Sequence, residues 1–163
     1  NWNKMLKLFK KKEKQNKVLS SMANGKSVAI EDVPDEVFST KMMGDGIAVD
    51  VIDGEIVAPC DGKITIVFPS KHAIGMKLKD GSSILIHCGI DTVNMDGDGF
   101  ETFVDVDQEV KKGDLLLKFD IDLVKEKGYS TETMMSFELA DKRTLQMQYT
   151  GQTQGKDVVA VVK

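Results

Sequence analysis

The sequence predicts an all-β fold, an antiparallel β-sandwich of short strands with one or two short helical turns. Asn-Gly and Asp-Gly pairs recur at Asn24-Gly25, Asp45-Gly46, Asp53-Gly54, Asp61-Gly62, Asp80-Gly81, Asp96-Gly97 and Asp98-Gly99. Such pairs supply the positive φ angles that tight hairpin turns require. The segments between them are short apolar runs, many alternating with period two, the pattern of strands with one buried face. One stretch alone, "DIDLVKEKG" at 120–128, reads as a convincing helix.

The elements follow in order. "SVAI" (27–30) comes after Asn24-Gly25, and "GIAVDVI" (46–52) is bracketed by Asp45-Gly46 and Asp53-Gly54. "EIVAP" (55–59) runs toward Asp61-Gly62, and "KITIVF" (63–68) leaves it. "IGMKLK" (74–79) and "SILIHC" (83–88) flank Asp80-Gly81 as the two arms of a hairpin. "TFVDV" (102–106) follows the paired Asp-Gly turns, and "LLLKFD" (115–120) leads into the helix, which has an aspartate near its start and Gly128 just past its end. "SFELA" (136–140), "TLQMQY" (144–149) and "DVVAVVK" (157–163) complete the set. "VFSTK" (37–41) echoes "VFPSK" (67–71), a pair too short to define a repeat architecture.

At 163 residues the chain has the size of one domain with a substantial core. Its 41% hydrophobic and 29% charged content is that of a globular protein. No apolar run approaches the roughly 20 residues of a membrane-spanning helix, and residues 1–17 lack the apolar core of a secretory signal. The leader, 1–17, carries seven lysines and one glutamate, leaving about −10 for the other 146 residues of a chain whose total is −4. So acidic a body argues against nucleic acid as the main partner. Trp2, Met5, Leu6 and Phe9 stand at helical spacing, so a leader helix would be amphipathic and basic, suited to weak contact with an anionic membrane surface. A disordered lysine-rich tail is the other reading. Cys60 and Cys88 form no C-x-x-C pair and read as free thiols of a reducing cytoplasm.

The two histidines of the chain, His72 and His87, flank the Asp80-Gly81 hairpin. A two-residue turn there makes Lys79 face Ser82, puts His87 opposite Ile74 and His72 opposite Gly89, and brings both histidines to one face with Leu85. As diagonal neighbours their backbones would lie roughly 7–8 Å apart. A three-residue turn would shift this register by one. Three chemistries use such a pair. In phosphoryl carriage one neutral imidazole attacks phosphorus while an acceptor fixes its tautomer, and the second ring donates to the phosphoryl oxygens. A catalytic zinc normally takes three protein ligands; Cys88 points to the opposite face, and there is no H-x-H or H-E-x-x-H. General acid–base hydrolysis wants a fixed serine or carboxylate, and Ser70 lacks a nucleophile elbow. Phosphoryl carriage needs the fewest missing parts. No nucleotide phosphate loop is present, and "DGDG" and "DVDQE" do not satisfy a calcium loop.

The motifs "EDVPDEVFSTKMMGDGIAV", "APCDGKITIVFPSKHAIG", "ILIHCGIDTV" and "GDGFETFV", with a following Q-x-V-x-x-G-D, resemble the glucose-type enzyme IIA domains of the bacterial phosphoenolpyruvate-dependent sugar phosphotransferase system. The resemblance covers 18–163 as a single domain and leaves the leader outside. It implies an antiparallel β-sandwich that takes a phosphoryl group from the histidine-containing phosphocarrier protein and passes it to the enzyme IIB domain of a sugar permease. It further implies that His87 is the phosphoryl acceptor through Nε2, with Nδ1 held by the Gly89 carbonyl. His72 would sit beside the phosphate, with the Ser70 hydroxyl holding it. The implied docking surface is a shallow apolar depression of Val37, Phe38, Met42, Met43, Phe68, Ile74, Leu85 and Val93, with Asp35 and Asp91 at its margin. Cys88 and Ile74 stand where phenylalanine is common in the family, and "ANGK" replaces "APxxG" at the first turn.

The expected role is therefore a phosphotransferase component, cytoplasmic and peripheral to a membrane permease. It requires no cofactor, with a bridging or adventitious zinc at His72 and His87 as the metal site the sequence allows. The rival readings are a zinc-dependent peptidase of related fold using His72 and His87 as ligands, and a lipoyl- or biotin-type carrier suggested by "QEVKKGDLL" (108–116). The latter lacks a lysine in a Met-Lys-Met turn.

Overall fold

A computed structural model of the chain describes residues 2–5, 17–148, 151–153 and 157–163. The strands are β1 (Lys17–Ser20), β2 (Gly25–Ala29), β3 (Asp45–Val51), β4 (Glu55–Val57), β5 (Gly62–Val67), β6 (Ala73–Lys77) and β7 (Ser83–Ile90). They continue with β8 (Phe100–Thr102), β9 (Glu109–Val110), β10 (Leu115–Phe119), β11 (Ser130–Glu138), β12 (Leu145–Met147), β13 (Gln152–Thr153) and β14 (Val158–Val162). Two short helices, α1 (Glu36–Ser39) and α2 (Ile121–Glu126), and two 3-10 turns, η1 (Ile30–Asp32) and η2 (Thr92–Met95), interrupt them.

One eight-stranded sheet runs in the order β13-β2-β3-β11-β7-β6-β5-β9, and two three-stranded sheets run β1-β14-β12 and β4-β10-β8. Every pairing is antiparallel. The main core draws Leu19, Ile56, Leu116, Leu117 and Val159 from the small sheets against Ile47, Val49, Ile64, Met76, Ile86 and Met135 of the large one. Alternation in β7 sends Ile84, Ile86 and Cys88 inward and Leu85 and His87 to the opposite face. That outer face has a second, smaller cluster of Ile30, Val33, Phe38, Ala48, Ile90 and Met134, contributed by η1, α1 and the large sheet. The fold is thus the antiparallel sandwich its turns predict.

The β6–β7 hairpin corrects the predicted register. Ala73, not Ile74, stands opposite His87, and Ile74 pairs with Ile86. The loop has three residues, 79–81. The Leu78 N–H donates to the Ser82 carbonyl at 2.8 Å, and the Gly81 N–H to the Leu78 carbonyl at 3.0 Å, with Gly81 at φ +93°. The Asp80 carboxylate accepts the Ser82 N–H at 2.8 Å. Asp-Gly suits this turn with a bulge as well as the two-residue turn, and the one-residue slip exchanges the faces of a whole strand. Ile74 consequently lies in the main core at 1% exposure rather than on a docking face.

Other elements depart in smaller ways. β8 forms at Phe100–Thr102, ahead of the predicted 102–106, and β11 begins at Ser130, six residues before the predicted strand. The 37–41 and 67–71 echo is not a structural repeat, since the first copy is helical and the second leaves a strand into a turn. The helix holds at Ile121–Glu126, with the Asp120 carboxylate accepting the Leu123 N–H and Gly128 at φ +84°. In the leader, residues 2–5 are helical with Trp2 and Met5 exposed. Leu6, Phe9 and the rest of the expected leader helix lie outside the described residues.

Ile47 is fully buried between β2 and β11. Ile47→Ala is expected to lower unfolding free energy by about 2–5 kcal/mol in urea titration, the usual cost of emptying such a site.

Candidate functional site

The site is built on the outer face of the large sheet, near its middle. His87 on β7 stands between Ala73 on β6 and Met134 on β11, and Ala48 on β3 continues the row. The small side chains of Ala73 and Ala48 make this row a shallow floor, with Met134 fully buried behind the ring. Phe38, held by α1, packs against His87 with ring centroids 5.2 Å apart. The Asp35 carboxylate starts α1 by accepting the Val37 N–H at 2.9 Å, which presents Phe38 toward the sheet.

The end of β7 sets the state of the imidazole. Gly89 has φ +81°, and a Cβ there would meet Thr92 Cγ2 at 2.4 Å and the Ser130 carbonyl oxygen at 2.8 Å, so both conformation and space require glycine. Thr92, fully buried, donates its hydroxyl to the Cys88 carbonyl at 2.5 Å. In this turned backbone the Gly89 carbonyl oxygen lies 2.8 Å from His87 Nδ1. A carbonyl only accepts, so Nδ1 carries the proton and Nε2 keeps its lone pair.

His72 reaches the same face by a different route from the one its spacing predicts. It precedes β6, next to Lys71 at φ +58°, in a turn closed by the Lys71 N–H on the Phe68 carbonyl at 2.8 Å. The Cys88 N–H donates to the His72 carbonyl at 2.7 Å, which anchors the residue to β7. Freed from strict alternation, its ring meets that of His87 edge-on, with centroids 4.8 Å apart and planes at 83°. Phe68 packs edge-on to His72 at 5.5 Å. The two phenylalanines of the sequence echo thus each flank one histidine.

Ser70 stands two residues before His72, at the edge of the site. Its hydroxyl makes no hydrogen bond to His72, and the buried Nδ1 of His72 has no hydrogen-bond partner. The influence of Ser70 on the ring comes through its backbone.

Burial pushes the His72 pKa down to about 4, helped by the neighbouring His87 and opposed by the Ser70 backbone. His87 is also lowered, by burial first, against the Gly89 carbonyl and the negative charges of Asp35 and Asp91. Both rings are therefore neutral near neutral pH. Around them Val37, Met42, Met43 and Val93 are exposed, Met42 at 75%, while Phe68 and Leu85 are half-buried. Asp91 is exposed and Asp35 half-buried at the margin. Of the residues expected here, Ile74 is removed to the main core, and Phe38 is buried in the smaller cluster, where it packs on His87. Cys88 points inward at 0% exposure with its thiol pKa pushed up by burial. Thr92, Met134, Ala48 and Ala73 belong to the site without being singled out in the sequence; alternation along 130–138 is the signal that places Met134 opposite Met135.

Among the described residues no group of three or more His, Cys, Asp and Glu side chains is placed to hold a metal. His72 and His87 are a two-ligand set, short of the three a catalytic zinc normally takes.

A β-sandwich that presents one neutral, tautomer-fixed imidazole beside a second, within an exposed apolar frame, has the form of a histidine phosphoryl carrier. Comparison with known proteins agrees: residues 17–142 match the family described as phosphoenolpyruvate-dependent sugar phosphotransferase system, EIIA 1, and the chain belongs to it. The glucose-specific EIIA component of Halalkalibacterium halodurans is 51% identical over 119 residues, covering 73% of this chain and 69% of that one. A glucoside-specific EIICBA component of Staphylococcus carnosus is 42% identical over 145 residues, 88% of this chain, which spans only 21% of that longer protein. The solved glucose permease IIA from Mycoplasma capricolum superposes with a TM-score of 0.85 at 39% identity, covering 91% of this chain and 96% of that one.

The neutral rings make stability pH-dependent with a definite sign. Unfolded histidine takes up its proton near the ordinary value of 6.5, whereas native His72 resists it down to about 4. The unfolded state then binds more protons in that window, so stability is full above it and falls as pH drops through it. In urea unfolding between these pH values, His72→Gln should flatten the slope by up to about 1.4 kcal/mol per pH unit. An unchanged slope contradicts the buried neutral His72.

Proposed function

We propose that His87 accepts the phosphoryl group through Nε2. The chain is a phosphoryl carrier of the sugar phosphotransferase system, and the observation that supports His87 as its acceptor is the Nδ1–Gly89 hydrogen bond, which leaves Nε2 with a free lone pair. The donor on this reading is the phosphohistidine of the histidine-containing phosphocarrier protein. Nε2 forms the new bond to phosphorus while the donor's P–N bond breaks, its electron pair returning to the donor imidazole. His87 keeps its Nδ1 proton throughout, and Gly89 stabilises the positive character the ring gains on attack.

His72, with its ring 4.8 Å away, is the group that meets the phosphoryl oxygens. A phosphate dianion beside a buried neutral imidazole favours protonation of that imidazole, so His72 becomes a better donor once the phosphoryl arrives. Onward transfer reverses the sequence, with a cysteine thiolate of an enzyme IIB domain as nucleophile. The transfer so drawn needs no metal.

The exposed side chains Val37, Met42, Met43 and Val93, with Phe68 and Leu85, form the docking surface, and Asp35 and Asp91 steer a basic partner to it. The joined EIICBA name of the Staphylococcus carnosus relative supports a partner from the permease itself. We place the carrier in the cytoplasm at the permease, as one domain over 18–163 with the leader outside. None of its described helices is long and apolar enough to cross a membrane.

Incubation with phosphoenolpyruvate, enzyme I and the phosphocarrier should add one acid-labile phosphoryl of roughly 80 Da, read by mass spectrometry. His87→Ala should abolish the addition, and labelling at the wild-type level would refute the assignment. His72→Ala should still be labelled but pass the group to enzyme IIB roughly 100-fold more slowly, measured in a quenched-flow transfer assay.

A further inference from the structure

A second feature shares the sheet face of His87. A groove of about 660 Å³ opens along β5, β6 and β9, lined by Lys17, Lys63, Lys77, Lys79 and Lys111. The body of this protein is acidic, yet five lysines line this concavity. The carboxylates there are Asp61 and Glu109, and Asp61 is engaged by the Lys112 N–H at 2.9 Å.

None of the five lysines takes part in an ion pair among the described residues; those formed use Lys41, Lys118, Lys127 and Arg143. Asp80, adjacent in sequence to Lys79, is committed to Arg143 at 3.1 Å. Lys63 also stands directly opposite Lys77 in the β5–β6 register. Like charges at facing strand positions oppose folding. Glu109 faces Lys63 from β9 on the other side, one carboxylate beside two facing lysines, and a bound anion would offset the charge that remains.

Lys77 lies four residues along β6 from Ala73, the neighbour of His87, so the groove is about 13 Å from the histidine row at the usual strand rise. We infer that this groove is an anion site, separate from the phosphoryl-transfer centre, for a ligand with two or more phosphate groups. Lysine suits phosphate as a compact, unshaped charge, and five of them exceed what a single phosphate needs. Such phosphates can come from a soluble polyphosphorylated metabolite or from clustered anionic phospholipid headgroups. Lys17, where the lysine-rich leader joins the sheet, lines the same groove.

The test uses the full chain and its Lys63→Gln/Lys77→Gln variant. Both positions are exposed, and relief of the like-charge pair should leave the variant's melting temperature equal or higher, which confirms that it folds. Tripolyphosphate is titrated at low salt by amide NMR and calorimetry, and vesicles with and without phosphatidylglycerol are assayed by co-sedimentation. The wild type should bind at least one probe saturably, with shifts centred on β5 and β6, and the double variant should bind it about tenfold or more weakly. Tripolyphosphate binding assigns a soluble ligand; vesicle retention that the double variant loses assigns headgroups. Saturable binding to neither probe, or equal binding by wild type and double variant, overturns the inference.

Discussion

The hydrogen bond from His87 Nδ1 to the Gly89 carbonyl is the constraint on which the site depends. It spans two residues, 2.8 Å between heavy atoms, and it exists because the backbone turns out of strand geometry immediately after the histidine. Glycine permits the turn, Thr92 braces it through the Cys88 carbonyl, and the Ser130 carbonyl leaves no room for a side chain. The pairing of β7 with β11 is irregular between Ser130 and Thr133, where that turn sits. A local break in the ladder thus fixes which imidazole nitrogen holds the proton.

The same strand solves two further requirements. Its inward face carries Ile84, Ile86 and Cys88 into the main core, where burial keeps the Cys88 thiol protonated and away from solvent. Its outward face meets Ala73 on β6 and Met134 on β11, with Ala48 beyond on β3, so the imidazole stands in a shallow apolar depression rather than in a deep pocket. Desolvation there keeps both rings neutral, His87 against the pull of Asp35 and Asp91 and His72 against that of the Ser70 backbone. A neutral ring is the nucleophilic form, and a shallow frame of Met42, Met43, Val37 and Val93 leaves it open to a protein-sized partner.

Much of this was legible in the sequence, for identifiable reasons. Asp-Gly turns and alternating runs declared the sandwich because hairpin turns need glycine and a half-buried strand needs period two. The pairing of His72 with His87 was legible because they flank one hairpin, although the route to it was not. Asp80-Gly81 serves two- and three-residue loops equally, and the longer loop slipped the register by one. That slip sent Ile74 into the core and put Ala73 beside His87. His72 stayed on the site's face only because it lies beyond the end of β6. The first half of β11 escaped notice because "STETMM" carries polar residues on the sheet's outer side and threonines within it. The role of Ser70 came from resemblance, and its contact with the His72 ring runs through its backbone. The lysine groove was hidden because its members come from four separate segments that only the register brings together.

The central claim is that His87 is neutral at pH 7 with its proton on Nδ1 and its lone pair on Nε2. Long-range proton–nitrogen correlation spectra of the histidine rings test this most directly, before and after phosphorylation. An Nδ1-protonated His87 is expected in the free protein and, after phosphorylation, a phosphorus bonded to its Nε2 with the Nδ1 proton retained. An Nε2-protonated or doubly protonated His87 at pH 7, or a phosphoryl group on any other nitrogen, would contradict it.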